Sequence, residues 1–311
     1  MARIMVTGAA GFIGRALCRG LVARGHRVLG LTRTDAEPIP GVELRPIGDI
    51  GPHTAWAEHL AGVETVIHLA TRAHRPVSEQ DSRREAAAAS ALARGAAAQG
   101  VRRLVFMSSI RAMGEATRAG APFRPTDPPL PREPYGLGKL AIEHALASAA
   151  AETGLELVIL RPPLVYGPTV GANFRALMRL VANGLPLPFA GVDNRRSLIF
   201  IDNLVDLTAL TATHQAAAGQ VLLLRDAVDL STPELICMLA DGLGYRARLF
   251  GFPEAGFAAF RHIPALGPPI ARLTLSLQVD DRATRRLLAW TPPVSAEIGL
   301  VATARDFRSR S

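Results

Sequence analysis

The chain has 311 residues and a mass of 33.0 kDa, room for one large domain with an elaboration or two domains sharing an interface. A content of 49% hydrophobic and 20% charged residues excludes a disordered chain, and two cysteines, Cys18 and Cys237, exclude a disulfide framework or a four-ligand zinc site. The net charge of +8 invites an anionic partner, but the arginines are scattered and aromatics make up only 5%, so small anions are expected rather than nucleic acid. No apolar run approaches the roughly 20 residues of a membrane span and no signal-peptide pattern opens the chain, so no integral membrane segment and a cytoplasmic location are expected.

In chain order, the short apolar run "RIMVTG" predicts a first strand. "FIGRALCRGLVARG" predicts a helix, with Ile13, Leu17 and Leu21 four apart and Gly25 as its stop. Cys18 falls inside it as a core residue. "HRVLGL", "VELRPI" and "VETVIHLA" predict strands two to four, and an alanine-rich helix covers about Glu79 to Gln99. "RLVFMSS" is a fifth strand, a helix carrying Tyr135 follows, and "LELVILRP" is a sixth. Buried strands separated by helices imply an α/β fold: a Rossmann-type, doubly wound parallel sheet. Beyond "YGPTVG" proline and glycine become frequent. "NLVDLTALTATH" and "GQVLLLRD" read as a helix and strand returning to the sheet, and Ser231 to Glu234 form a capping box. The division expected is a dinucleotide-binding part over 1–166 plus about 195–226. A smaller α/β substrate lobe would hold 167–194 and 227–311, with Trp290 as its packing anchor.

"VTGAAGFIG" sets Gly8, Gly11 and Gly14 at the junction of the first strand and first helix. There the glycines allow a tight turn, close approach of a pyrophosphate and tight helix–strand packing. At the end of the second strand Thr32 and Arg33 stand where a carboxylate would hold an adenosine ribose. Arg33 either pairs with a 2′-phosphate or is a solvated loop residue, so NAD and NADP both stay open. Asp49, after the third strand, can reach an adenine amino group.

Tyr135 and Lys139 in "PYGLGK" are one helical turn apart and share a face. To trade protons with a substrate hydroxyl near neutral pH, a phenol must fall by about three units from its usual pKa near 10, about 4 kcal/mol. A nearby ammonium supplies part of that. Ser108 and Ser109 follow the fifth strand, where open parallel sheets present ligand sites. His53, His59, His68 and His74 match no metal-ligand spacing, and no metal is expected.

These motifs, with "HLA" at His68 to Ala70, "SSIRAMG", "RPPLVYGP" and "RRSLIFIDNLVDL", resemble the extended short-chain dehydrogenase/reductase family, in its NAD-dependent epimerase/dehydratase branch, along nearly the whole chain. The resemblance implies Tyr135 as acid/base, Lys139 as its electrostatic partner and Ser109 as the hydroxyl on the reacting oxygen. It implies NAD or NADP held by Gly8, Gly11, Phe12, Ile13, Gly14, Thr32, Arg33, Asp49, Ile50, Leu69, Ala70, Ser108, Tyr135, Lys139, Pro162 and Val165. It assigns Ser109, Arg111, Tyr135, Asn173 and Arg196 to a nucleotide-sugar substrate, with Asn173 and Arg196 at its phosphates. Bottom-up, Asn173 could instead be a helix-start residue and Arg196 a surface partner of Arg195. The family's usual helix Asn and Thr fall at Glu85 and Ala89. Its Ser before the lysine is Gly138, and its tyrosine after the serine is Met113. Ile110 and Arg111 replace the Asp–Glu pair of the dehydratases, which argues against 4,6-dehydration. The resemblance therefore implies a nucleotide-sugar 4-epimerase acting on a UDP-hexose or UDP-N-acetylhexosamine, and a homodimer. The alternatives are an NADPH-dependent 4-keto-6-deoxy nucleotide-sugar reductase and a non-catalytic NAD(P)-sensing protein.

Overall fold

The structure, a computed structural model, describes residues 1–71, 78–118, 120–264 and 267–310. Short apolar segments become β1 (Arg3–Thr7), β2 (Arg27–Thr32), β3 (Val42–Pro46), β4 (Thr65–His68), β5 (Arg103–Met107) and β6 (Glu156–Arg161). Between them run α1 (Phe12–Ala23), α2 (Ala57–Leu60), α3 (Glu79–Ala98) and α4 (Pro134–Thr153). Next come β7 (Leu164–Tyr166), α5 (Ala172–Ala182), β8 (Leu198–Phe200), α6 (Ile201–Thr213) and β9 (Val221–Leu223). The chain closes with α7 (Thr232–Leu243), α8 (Glu254–Arg261), α9 (Gly267–Thr274), α10 (Arg282–Leu288) and α11 (Ala296–Ser309).

Seven strands form one sheet in the order β3-β2-β1-β4-β5-β6-β9, with every pair parallel. The strand expected in "GQVLLLRD" is β9, on the edge beside β6. Because side chains alternate along a strand, β1 feeds two cores. Ile4 and Val6 face a cluster with Leu17 and Leu21 of α1 and Leu204 of α6. Met5 faces the other, with Leu92 of α3 and Ile142 and Leu146 of α4. Burial on both faces explains why the central strands read as unbroken apolar runs. Winding reverses between β1 and β4, which opens a crevice at the carboxyl ends of the strands, where ligands of such sheets bind.

The first of these cores runs on without a break into the C-terminal part, through Phe174 of α5, Ile236 of α7 and Leu300 of α11. A second, two-stranded sheet of β7 and β8 lies at that junction. It is tied by buried Asp226, which accepts from Tyr166 Oη at 2.7 Å, Asn203 Nδ2 at 2.7 Å and the Phe200 amide at 3.0 Å. Trp290 is buried as an anchor, its indole N–H donating to Asp206 of α6 at 2.8 Å. Cys18 is buried, which pushes its thiol up to about 12. The Pro/Gly-rich texture hides helices: α8 follows Pro253, and α9 carries Pro268 and Pro269 in its first turn, where proline costs no hydrogen bond.

Candidate functional site

The cofactor-type cradle lies where β1 turns into α1. Gly11 caps the helix in extended geometry with no side-chain cap, so no capping side chain competes for the first-turn N–H groups of Phe12, Ile13 and Gly14. These amides and the helix dipole make a seat for a diphosphate. A Cβ on Gly14 would stand 2.2 Å from the Gly8 carbonyl oxygen, so only glycine closes the turn. Thr7 Oγ1 accepts from the amides of Leu69 and Ala70, each at 3.2 Å, and pairs with His68 Nδ1 at 2.8 Å. This locks the ends of β1 and β4 side by side. Burial and the nearby Lys139 charge hold His68 down at about 3, a neutral strand-end histidine.

At the next strand end Thr32 is buried and Arg33 exposed. Backbone bonds from Ile47 to Thr32 (2.8 Å) and from Gly48 to Arg33 (3.1 Å) bring Asp49 beside them. Asp49 lines an open recess of about 670 Å³ with His53, His59 and Arg84, while Ile50 packs toward the core. No group of three His, Cys, Asp or Glu converges there or elsewhere among the described residues, and His74 lies outside them.

Ser109, Tyr135 and Lys139 come together at the ends of β5 and α4. Pro134 opens α4, so Tyr135 stands in its first turn. A Cβ on Gly136 would lie 2.3 Å from the Arg111 carbonyl oxygen, so this glycine lets the helix start press against the turn that carries Ser109. Tyr135 and Ser109 share a side-chain hydrogen bond. Burial pushes the phenol up. The Ser109 bond and the Arg111 charge pull it down, and the Glu85 charge pushes it up. Lys139 stands one turn further along the same helix. Its ammonium is 5.9 Å from the Tyr135 ring centre and donates to Thr71 Oγ1 at 2.7 Å and the Met107 carbonyl at 2.9 Å. Burial lowers the Lys139 pKa to about 8 against the opposing pull of Glu85 and Glu143. Pro162 is buried, its carbonyl taking the Ile110 amide at 2.9 Å, and Val165 is half-buried in β7.

Arg195 and Arg196 part company in the structure. Arg195 makes the exposed ion pair, with Glu234 at 3.0 Å. Arg196 instead turns inward, donating to the Leu275 carbonyl at 2.9 Å. Burial, then the charges of Arg111 and Arg272, draw its pKa down to about 10. Arg111 is itself ion-paired with Glu133 at 2.6 Å, and together with Arg196 and Arg272 it gives this part of the crevice a positive potential of the kind that attracts a phosphate. Sequence reading missed Arg272, inside a segment that looked like loop. Asn173 is exposed in the first turn of α5, and no hydrogen bond among the described residues ties it to Arg196.

The family model described as NAD dependent epimerase/dehydratase family matches residues 4–223. The chain belongs to this family. Within it, the chain is 37% identical over 311 residues to UDP-glucose 4-epimerase of Vibrio cholerae, covering 98% of this chain and 95% of that one. It is 30% identical to 2-alkyl-3-oxoalkanoate reductase of Stenotrophomonas maltophilia over 96% and 97% of the two chains. Among solved structures it superposes on MoeE5 in complex with UDP-glucuronic acid and NAD with a TM-score of 0.80 at 26% identity, over 99% and 100% of the two chains. The protein is therefore an NAD(P)-dependent enzyme of the extended short-chain dehydrogenase type, and the cradle, with its uncapped helix start, fits that cofactor. Two departures from the family pattern have a visible cost or compensation. Met113, at the tyrosine position, takes the Arg161 guanidinium on its sulfur at 2.6 Å. Glu85, at the asparagine position, puts a carboxylate charge beside Tyr135 and Lys139 where the family has a neutral amide.

Proposed function

We propose that the enzyme inverts C4 of a nucleotide-activated hexose, a UDP-hexose or UDP-N-acetylhexosamine, by transient oxidation. The reading rests on one arrangement: the Ser109–Tyr135–Lys139 group lies at the sheet's carboxyl end, together with the glycine cradle and the Arg111–Arg196–Arg272 cluster. Arginines hold the diphosphate, which fixes the sugar's far end. Ser109 binds the C4 oxygen and Tyr135 Oη takes its proton, then returns one after the sugar has turned. A bound oxidised nicotinamide would accept the C4 hydride and give it back on the other face. Lys139, held by Thr71 and Met107, keeps its remaining N–H for a cofactor ribose hydroxyl and lends positive charge to the phenol's surroundings. The names of the similar proteins support the substrate class, which is that of the Vibrio cholerae relative.

A second reading is a one-way, NADPH-dependent reductase of a 4-keto sugar. It is favoured by Arg33 in place of a carboxylate after β2 and by a reductase among the relatives. No helix among the described residues is long and apolar enough to cross a membrane. We further propose a homodimer. The test of the main reading is to denature the purified protein and identify the nucleotide released. Stoichiometric NAD supports a self-regenerating epimerase, and NADP or an empty site that takes up NADPH supports the reductase.

A further inference from the structure

Beneath the site lies a buried ionic knot that the proposed chemistry leaves unused. Glu143 follows Lys139 by four residues on α4, one turn on along the same face. One of its oxygens accepts from Ser108 Oγ and from Arg161 Nε at 3.0 Å, and the other from Arg161 Nη2 at 2.5 Å. Lys139 in turn holds the carbonyl of Met107, the residue before Ser108. So α4 grips the end of β5 twice, through Lys139 and through Glu143. Arg161 draws in the end of β6. These bonds fix Met107 and Ser108, the two residues that lead into Ser109, against the helix that carries Tyr135. Ser108, Lys139, Glu143 and Arg161 are all 5% exposed or less. A buried ion pair adds little net stability, because desolvation offsets its Coulomb gain, so a well-packed apolar pair would serve the fold as well.

A second observation concerns Lys139 itself. It is the only lysine in the chain; the other 34 of the 35 Lys and Arg residues are arginine. A compact ammonium whose charge its surroundings can set is therefore used at this one place, and a guanidinium everywhere else. Glu85 faces it from α3, Tyr135 and Glu143 from its own helix, neutral His68 from β4, and Arg161 stands behind Glu143.

We propose that the Glu143–Arg161 pair is a positioning device, which fixes Ser109 opposite Tyr135 and holds a countercharge behind Lys139. The role rests on the proposed function, but its first readout does not need turnover. Protein grown on ¹³C-lysine gives one side-chain signal, that of Lys139, whose titration is read directly. In Glu143→Gln, which keeps the hydrogen-bonding shape and removes the charge, the midpoint should fall by about one pH unit, a tenfold change in proton affinity. In Glu143→Leu/Arg161→Met, which removes both charges without stranding either, the melting temperature should stay within a few degrees. There kcat should fall at least tenfold with KM changed less than threefold, and the Lys139 midpoint should again fall. That second variant serves if Glu143→Gln does not fold. An unchanged Lys139 midpoint, or a double variant with full kcat, would overturn the proposal. Shifted lysine titration in a protein that inverts no nucleotide sugar would instead reject the epimerase reading and leave the positioning role standing.

Discussion

Tyr135→Phe should lower kcat by about 10²–10⁴ while the protein keeps its nucleotide and its melting temperature, because only a proton-transfer group is lost. Single-turnover and melting measurements on the same preparation check both halves. Lys139→Arg is the complementary change. The slot between Thr71 Oγ1 and the Met107 carbonyl fits an ammonium, so a planar guanidinium should cost at least about 100-fold in kcat despite its charge. The pH profile follows from the same residue. Burial lowers Lys139 to about 8, so its ammonium is lost as pH rises through that value, and kcat should decline on that limb. A flat profile from pH 7 to 9 would count against Lys139 acting as a cation. Tyr135 and Lys139 were legible in the sequence because helix geometry makes a spacing of four a contact. Glu143 has the same spacing from Lys139 and was missed, because its partners Ser108 and Arg161 come from other strands.

Among the secondary elements, the strand–turn–helix at the start of the chain was the most legible, since glycine spacing and strand position coincide there. Gly14→Ala tests it. A methyl 2.2 Å from a backbone oxygen must displace the turn, so nucleotide affinity should fall at least tenfold by fluorescence titration while Tyr135 chemistry is untouched. The junction of β7, β8 and α6 was not legible, because Asp226 draws its partners from three separate segments. Tyr166→Phe leaves that buried carboxylate short of a donor and should cost about 1–3 kcal/mol in denaturant unfolding, with activity kept. The capping box at Ser231 and Glu234 was legible and forms, the Ser231 amide donating to Glu234 at 2.7 Å. The helices α8 and α9 were not, because their prolines and glycines mimic loop composition and only their packing makes them helical.

On the scale of the whole molecule, periodicity revealed the parallel sheet, while the Arg196–Arg111–Arg272 cluster needed the fold to bring distant segments together. Folding stability carries a mark of the site. Lys139 binds its proton less tightly folded, about 8 against 10.5, so between these values the unfolded chain holds more protons and stability rises with pH. The penalty is full below about 8 and gone above 10.5, on the order of 3 kcal/mol. Lys139→Met should abolish that rise in denaturant titrations between pH 8 and 10. Native mass spectrometry should give twice the 33.0 kDa chain mass, as the proposed dimer requires. The most direct measurement of the proposed chemistry is ¹H NMR of a UDP-hexose carrying deuterium at C4, incubated with the enzyme and no added reductant. Inversion at C4 with the deuterium kept in the product is the expected result, since the hydride leaves and returns within one bound complex. No inversion without NADPH, together with NADPH-dependent reduction of a 4-keto sugar, would contradict it.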